Sequence, residues 1–155
     1  MRYEQVLSRR VNKITQFTGR YRFLSNFWRC DIMMDGIVYP SVEHAYQAAK
    51  TINLEERRKI RACDSPGEAK RLGRTVSIRR DWDYIKLSIM RELLTYKFKH
   101  YPTLAEALRA TGDAELIEGN TWGDTYWGVC NGKGENNLGK LLMEIRAELN
   151  KGESK

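Results

Sequence analysis

The chain has 155 residues, with 27 Lys and Arg against 20 Asp and Glu, and a formal net charge of +7. Its length suits one domain that buries a core unaided, and its 41% hydrophobic content excludes a disordered chain. No apolar run approaches the roughly 20 residues that span a bilayer, and residues 1–13 lack the apolar segment of a secretory signal. We therefore expect a single domain over residues 1–155 that is not associated with a membrane.

The cysteines and histidines are too few and too scattered for a structural metal site. Cys30, Cys63 and Cys130 are odd in number and widely spaced, which indicates reduced thiols and a cytoplasmic protein. His44 and His100 are the two histidines, and there is no C-x-x-C motif. We expect neither a metal nor a cofactor.

The first half of the chain predicts a strand, a hairpin and a helix. Residues 13–17 (KITQF) alternate between polar and apolar side chains, which favours a short strand. Cys30–Tyr39 is typical of a hairpin, since Asp35–Gly36 suits the two positive-φ positions of a type I′ turn. Pro40 is expected to end the second strand, and Ser41 to cap the helix that follows.

Helix start and stop signals then alternate to the end of the chain. The predicted helices are Leu54–Arg61, a helix that Ser65 caps and Gly73 ends, one from Asp81 as cap to Lys99, a short one between Pro102 and Gly112, and Asn137–Asn150. Trp82, Ile85, Ile89 and Leu93 recur at helical spacing and predict a core-facing stripe. A short strand is predicted at Tyr126–Val129. The fold class is therefore helix-dominated α+β with a small antiparallel sheet, a core of about 13–149 and a frayed tail at 151–155.

Two segments have compositions that suit a binding site, and each has an ordinary alternative. In FLSNF, residues 23–27, a Ser-Asn pair lies between aromatic residues, which suits binding of a base and a sugar or a simple turn. In YPSVEHAYQAAK, residues 39–50, Glu43, Tyr46, Gln47 and Lys50 share one side of a helix. Such a polar stripe normally faces solvent, and helical spacing alone favours that interpretation.

A third segment, NTWGDTYWGVCNGKGENN, combines glycines and tryptophans around Asp124. Glycine allows a backbone to approach a ligand closely, and Trp122 and Trp127 offer flat apolar walls for a heterocycle. A carboxylate held between two indoles loses part of its hydration, which suits acid–base chemistry. The alternative is a glycine-rich loop folded onto its own aromatic residues.

Several blocks together resemble the NADAR family: FLSNFW, DGIVYPSVEHAYQAAK, SPGEAKRLGR followed by RRDW, and LIEGNTWGDTYWGVCNGKGENNLGKLLMEIR. They occur in the family's order over roughly residues 20–147. Members of this family include an N-glycosidase that cleaves phosphorylated intermediates of riboflavin biosynthesis, and others that remove ADP-ribose from modified guanine. The resemblance implies a compact helical domain with a small sheet that hydrolyses a ribosyl C–N bond.

The resemblance also implies site residues. Glu43, Lys50 and Asp124 would be catalytic, and the substrate would be bound by Arg20, Ser25, Asn26, Phe27, Tyr46, Gln47, Lys70, Trp122, Trp127 and Asn136. With this resemblance, the polar stripe of residues 43–50 is interpreted as a pocket wall, and we expect it to be buried under a concave site. The expected partner is a small ribosyl phosphate or an ADP-ribosylated nucleotide, and the positive net charge also suits nucleic acid. Oligomeric state is left open.

Two routes to hydrolysis remain open from the sequence. Glu43 and Asp124 can activate water and assist departure of the base, or the amine of Lys50 can attack the anomeric carbon and form a Schiff base. The other classes of function are an ADP-ribose or NAD binding module without hydrolysis, and a basic protein that binds nucleic acid.

Overall fold

The computed structural model describes residues 12–153, and the sequence features at residues 1–11 and 154–155 lie outside it. The chain divides into two compact units. The central unit is Arg22–Tyr101, and the terminal unit combines the residues before Arg22 with those from Pro102 onward. The α-helices are α1 Val42–Ala49, α2 Leu54–Arg61, α3 Pro66–Leu72, α4 Trp82–His100, α5 Pro102–Ala110 and α6 Asn137–Glu153. The strands are β1 Lys13–Ile14, β2 Arg29–Met34, β3 Ile37–Ser41, β4 Glu115–Leu116, β5 Gly119–Asn120 and β6 Val129–Cys130, and Gly19–Leu24 is a 3-10 helix.

The predicted hairpin is confirmed, with one correction at its end. Strands β2 and β3 pair antiparallel around Asp35–Gly36, whose φ angles of 52° and 78° are those of a left-handed turn. Strand β3 does not stop at Pro40 but continues to Ser41. The register shifts between Arg29 and Ile32, so that Pro40 lies opposite an irregular stretch where no ladder donor is required.

Side-chain caps set the starts of three consecutive helices in the central unit. The Ser41 hydroxyl accepts the N–H of His44 at the start of α1, and Asn53 caps α2 in the same way. The Ser65 hydroxyl accepts the N–H of Glu68 at the start of α3, as predicted. The Glu68 carboxylate accepts the N–H of Asp64, the residue before the cap. Helix α2 has the predicted bounds, and α3 ends at Gly73 as expected.

Helix α4 begins without the predicted cap. Asp81 makes no side-chain capping bond, because its carboxylate pairs with Arg79 at 2.7 Å. Trp82 and Leu93 are buried as predicted, whereas Ile85 and Ile89 are only partly buried. The fully buried face of α4 lies further along and contains Met90, Leu94, Lys97 and Phe98.

The terminal unit adds two short parallel strand pairs that the sequence did not predict. Strand β1 pairs with β4 and strand β5 with β6, and both pairs are parallel, whereas β2 and β3 pair antiparallel. The predicted strands at residues 13–17 and Tyr126–Val129 shrink to Lys13–Ile14 and Val129–Cys130. Helix α6 continues to Glu153, so Lys151–Glu153 is helical rather than frayed. The helix-rich architecture with small sheets is confirmed.

Two kinds of feature are absent from the described residues. No helix among them is long and apolar enough to cross a membrane. Residues 12–153 also contain no group of three or more His, Cys, Asp or Glu side chains arranged to hold a metal ion.

Candidate active site

The polar stripe of α1 is buried instead of solvated. All eight residues of this helix are buried, with Glu43 at 7%, Tyr46 at 7% and Gln47 at 4% exposure, and Lys50 at the C-terminal end is half-buried. Glu, Gln and Lys are rarely buried unless their polar atoms have partners. The stripe therefore has the burial expected of a site wall, which helical spacing alone did not favour.

Glu43 is held at both its backbone and its side chain. Its N–H, one of the donors left unpaired at a helix N-terminus, bonds to the carbonyl of Asn26 at 3.0 Å. Its Oε1 accepts a 2.8 Å hydrogen bond from Nε2 of Gln47. The other end of the Gln47 amide lies against Gly73, where a Cβ would overlap Oε1. These contacts fix the direction in which the carboxylate points.

Aromatic rings cover the C-terminal half of the stripe. The Tyr46 ring packs on Trp82 of α4 with centroids 5.1 Å apart and a 55° tilt. The Lys50 ammonium lies 5.9 Å from the centroid of the Tyr46 ring, within the range of a cation–π interaction. Trp82, which the sequence predicts as a core residue, therefore also supports the stripe.

Lys50 has the electrostatic surroundings of a reactive amine. Burial lowers the pKa of Lys50 from its usual value, and the neighbouring cations Arg74, Lys70 and Lys86 lower it further. Glu43 acts in the opposite direction and raises it. Both burial and like charges destabilise the ammonium, so a larger fraction of the amine is neutral near physiological pH. Sequence reasoning missed Lys86, although its position one turn after Trp82 was a usable signal.

The FLSNF segment is a turn that supports α1. The Ser25 hydroxyl accepts the N–H of Phe27 at 3.1 Å, and Phe27 itself is 43% exposed. The Asn26 amide donates to Met90 Sδ at 3.6 Å, while its buried Oδ1 accepts no hydrogen bond from residues 12–153. Lys97, buried in α4, donates to the carbonyl of Ser25. The turn and a ligand-binding role are compatible, since Asn26 keeps an unused acceptor.

Asp124 organises its own loop in the terminal unit. Its Oδ1 accepts the N–H groups of Tyr126 and Trp127, at 3.1 and 2.9 Å. Asn120, which sequence reasoning missed, holds the Asp124 backbone with both ends of its amide. No hydrogen bond from the described residues reaches Oδ2 of Asp124. One carboxylate oxygen thus shapes the loop, and the other is available for a ligand.

The remaining predicted binding residues differ in their exposure and in their contacts with the rest of the chain. Trp122 is 62% exposed, and Trp127 packs edge-on against Tyr126 at 4.8 Å. Asn136 bonds through both ends of its amide to backbone groups of residues 116 and 118. Arg20 lies over the ring of Tyr21 at 4.8 Å and bonds to its hydroxyl. Lys70 is half-buried in the last turn of α3. Their contact with substrate stays a prediction.

Comparison with known proteins identifies the family. The family model described as NADAR domain matches residues 14–150. The chain is 38% identical to N-glycosidase YbiA of Escherichia coli K12 over 151 residues, which is 96% of this chain and 94% of that protein. It is 40% identical to N-glycosidase Npun_R5314 of Nostoc punctiforme over 135 residues, covering 83% and 86% of the two chains. A riboflavin biosynthesis protein of Vibrio vulnificus is 39% identical over 130 residues, which is 82% of this chain but 35% of that protein.

A solved structure agrees with the sequence matches. The NMR structure of the Escherichia coli protein YbiA superposes with a TM-score of 0.79 at 35% identity, covering 96% of this chain and 94% of that chain. This value, with matching lengths, indicates the same helix-rich fold with small sheets. The chain belongs to the NADAR family.

Proposed function

We propose that this protein is an N-glycosidase that hydrolyses the ribosyl C–N bond of a phosphorylated ribosylaminopyrimidine. The observation that carries the proposal is the buried stripe of α1, in which a clamped carboxylate and an amine of lowered pKa share one helix face. Relatives of similar length named N-glycosidase, and a longer one named a riboflavin biosynthesis protein, support the reaction and the substrate class. The family model spans both units, which supports a single domain.

Glu43 would supply the charge that the reaction needs. Cleavage of a ribosyl C–N bond develops positive charge at the anomeric carbon. A buried carboxylate whose direction is fixed by Gln47 stabilises such charge without reorganisation at the moment of reaction. The same group can exchange a proton with water or with the departing base.

Lys50 would act as the nucleophile. The neutral amine attacks the anomeric carbon, the C–N bond to the base breaks, and the base leaves with the bonding electrons and takes up a proton. The ring oxygen then departs from the same carbon and is protonated, which leaves a Schiff base between Lys50 and the opened ribose. Water adds to this imine, and collapse of the adduct releases ribose phosphate and the free amine. One water molecule is consumed in total.

The cations around Lys50 support a phosphate-bearing substrate. Lys70 of α3, Arg74 after it and Lys86 of α4 all act electrostatically on the Lys50 amine. A phosphate bound among them would offset their mutual repulsion. The net charge of the whole chain is also positive, as a ligand that carries phosphate requires.

Removal of ADP-ribose from a modified guanine is the second candidate. The bond cleaved is again a ribosyl C–N bond, so the same chemistry applies. The observation that favours it is the +7 net charge, which suits a diphosphate or a nucleic acid strand. Binding of an oligonucleotide that weakens steeply with salt would support this candidate, and a flat salt response would support a free nucleotide.

The deciding experiment offers the purified protein both substrates, a phosphorylated ribosylaminopyrimidine and an oligonucleotide with ADP-ribosylated guanine. Release of ribose phosphate supports the first candidate, and release of ADP-ribose supports the second. We expect Glu43→Gln to lose roughly 10²–10⁴ in rate. Glu92→Gln, on an exposed part of α4, is the matched control and should keep full activity. Tight binding of either compound without turnover would contradict hydrolysis and support a binding module.

Borohydride reduction distinguishes the two routes. It should fix the substrate covalently to Lys50, detectable as a mass increase on the peptide that contains this residue. The variant Lys50→Met should form no adduct, whereas Lys140→Met, at an exposed position, should form it normally. Turnover that persists in Lys50→Met, with no adduct in the unmodified protein, would favour direct attack by water.

A further inference from the structure

Lys97 is a lysine in an unusual position. It lies near the C-terminal end of α4 and is completely buried, with 0% exposure. Lysine is almost never fully buried unless its charge is compensated. No carboxylate of the described residues lies within salt-bridge distance of its Nζ.

The Lys97 ammonium bonds instead to the backbone of one turn. Its Nζ donates to the carbonyl of Phe23 at 2.6 Å and to the carbonyl of Ser25 at 3.0 Å. Both carbonyls belong to the FLSNF segment. Met90, two helical turns earlier on the same buried face of α4, accepts the side-chain N–H of Asn26. Two side chains of α4 therefore hold the turn at residues 23–26.

The turn at residues 23–26 also holds the start of α1. The carbonyl of Asn26 accepts the N–H of Glu43 at 3.0 Å. A continuous path thus links Lys97 to the backbone of Glu43 through two hydrogen bonds and the backbone between the Ser25 and Asn26 carbonyls. Only the backbone of Asn26 separates the Ser25 carbonyl, held by Lys97, from the Asn26 carbonyl that accepts from Glu43.

We infer that Lys97 is a positioning residue, whose charged amine holds the 23–26 turn so that Asn26 fixes the first turn of α1 and the carboxylate of Glu43. The inference deepens the proposed function, since it assumes that Glu43 takes part in the reaction. Lys97 touches no reacting atom and acts only through the turn.

The protonation state of Lys97 makes this link testable. Burial lowers the pKa of Lys97 to about 8, and the nearby Cys30 of β2 acts in the opposite direction. Burial also raises the pKa of the Cys30 thiol, so the thiol stays protonated while the amine titrates. Loss of the charge weakens both charge-assisted bonds to the turn. The turn is therefore held less firmly at alkaline pH.

The first measurement does not depend on turnover. Amide NMR signals of Asn26 and Glu43 should shift with a midpoint near pH 8, and Cys30→Ser should retain that transition. In Lys97→Met the transition should disappear, and in Lys99→Met, whose side chain is exposed, it should persist. Flat signals across this range in the unmodified protein would overturn the inference, even if Lys97→Met fails to fold.

The second measurement uses kinetics. Lys97→Met should lower kcat by roughly 10- to 100-fold, with KM nearly unchanged, because a misplaced carboxylate slows the reaction without removing substrate contacts. In the unmodified protein kcat should fall above pH 8 as Lys97 loses its charge, and this fall should vanish in the variant. An unchanged kcat and pH profile would overturn the inference. A protein without N-glycosidase activity would refute the proposed function, while the NMR titration would still test the link from Lys97 to Glu43.

Discussion

The amide of Gln47 donates a 2.8 Å hydrogen bond to the carboxylate of Glu43, one turn earlier on the same buried helix. The bond joins two side chains that usually face water, and both are less than 10% exposed. Its geometry depends on Gly73, because Oε1 of Gln47 occupies the space that a Cβ would fill. A clamp built in this way can be disturbed without touching the carboxylate.

The variant Gly73→Ala tests that clamp. Gly73 has a helical backbone with φ of −60°, so alanine fits the backbone and only its methyl group conflicts with Gln47. Displacement of Gln47 would release Glu43, and we expect activity to fall roughly 10- to 100-fold. The control Gly67→Ala lies on the same helix, where a Cβ meets only Ser65 Oγ at 3.8 Å. Gly67→Ala should keep its activity. Equal activity in Gly67→Ala and Gly73→Ala would contradict a role for the clamp.

Replacement of Lys86 tests the cation cluster. The Lys86 charge lowers the pKa of Lys50, so Lys86→Met should raise it. If the neutral amine is the nucleophile, as proposed, the acidic limb of the pH–rate profile should move to higher pH. KM for a phosphorylated substrate should rise about tenfold, as for loss of a charged hydrogen bond of roughly 1.5 kcal/mol. Steady-state kinetics over a pH series measures both effects, and Lys99→Met should show neither.

Two substitutions of Asp124 separate its structural and chemical roles. Asp124→Asn can keep the bonds from the Tyr126 and Trp127 N–H groups to Oδ1, so the loop should remain folded. The charge is lost, and we expect a rate decrease of roughly 10²–10⁴ if the carboxylate takes part in proton transfer. Asp124→Ala should in addition lower the free energy of unfolding by about 1–2 kcal/mol. Full activity of Asp124→Asn would limit this residue to holding its loop.

His44 should make stability depend on pH. Its ring is fully buried, with Nδ1 2.7 Å from Ser41 Oγ and Nε2 3.0 Å from the Cys63 carbonyl. Burial lowers the pKa of His44 below its ordinary value of 6.5. Between the two values the unfolded chain binds more protons, so the free energy of unfolding should decrease as pH falls below about 6.5. Urea denaturation at several pH values measures this slope.

The matched control for His44 is the exposed His100 at the end of α4. His100→Gln should keep the pH dependence of the free energy of unfolding. His44→Gln should lose the part of that dependence that comes from His44, and it should be less stable at every pH. An identical slope in both variants would assign the dependence to other groups.

Local signals predicted the helices and the hairpin well. Ser41 and Ser65 accept the N–H bonds expected of N-caps, and Asp35–Gly36 forms the expected turn, since each depends on a few adjacent residues. Asp81 failed as a cap because its ion pair with Arg79 competed for the carboxylate. The short parallel pairs of the terminal unit were missed, since each strand has only two residues and the partners of β1 and β4 lie about a hundred residues apart.

The sequence by itself determined the family, the helical spacing of Glu43, Tyr46, Gln47 and Lys50, and the caps that place them on one helix. Periodicity identifies residues that share a face, but it does not say whether that face meets water or protein. Only the tertiary structure decided that the stripe is buried, because the packing of α1 against Trp82, Gly73 and the Asn26 turn excludes solvent from it. The same packing lowers the pKa of Lys50, and no local sequence pattern predicts this change.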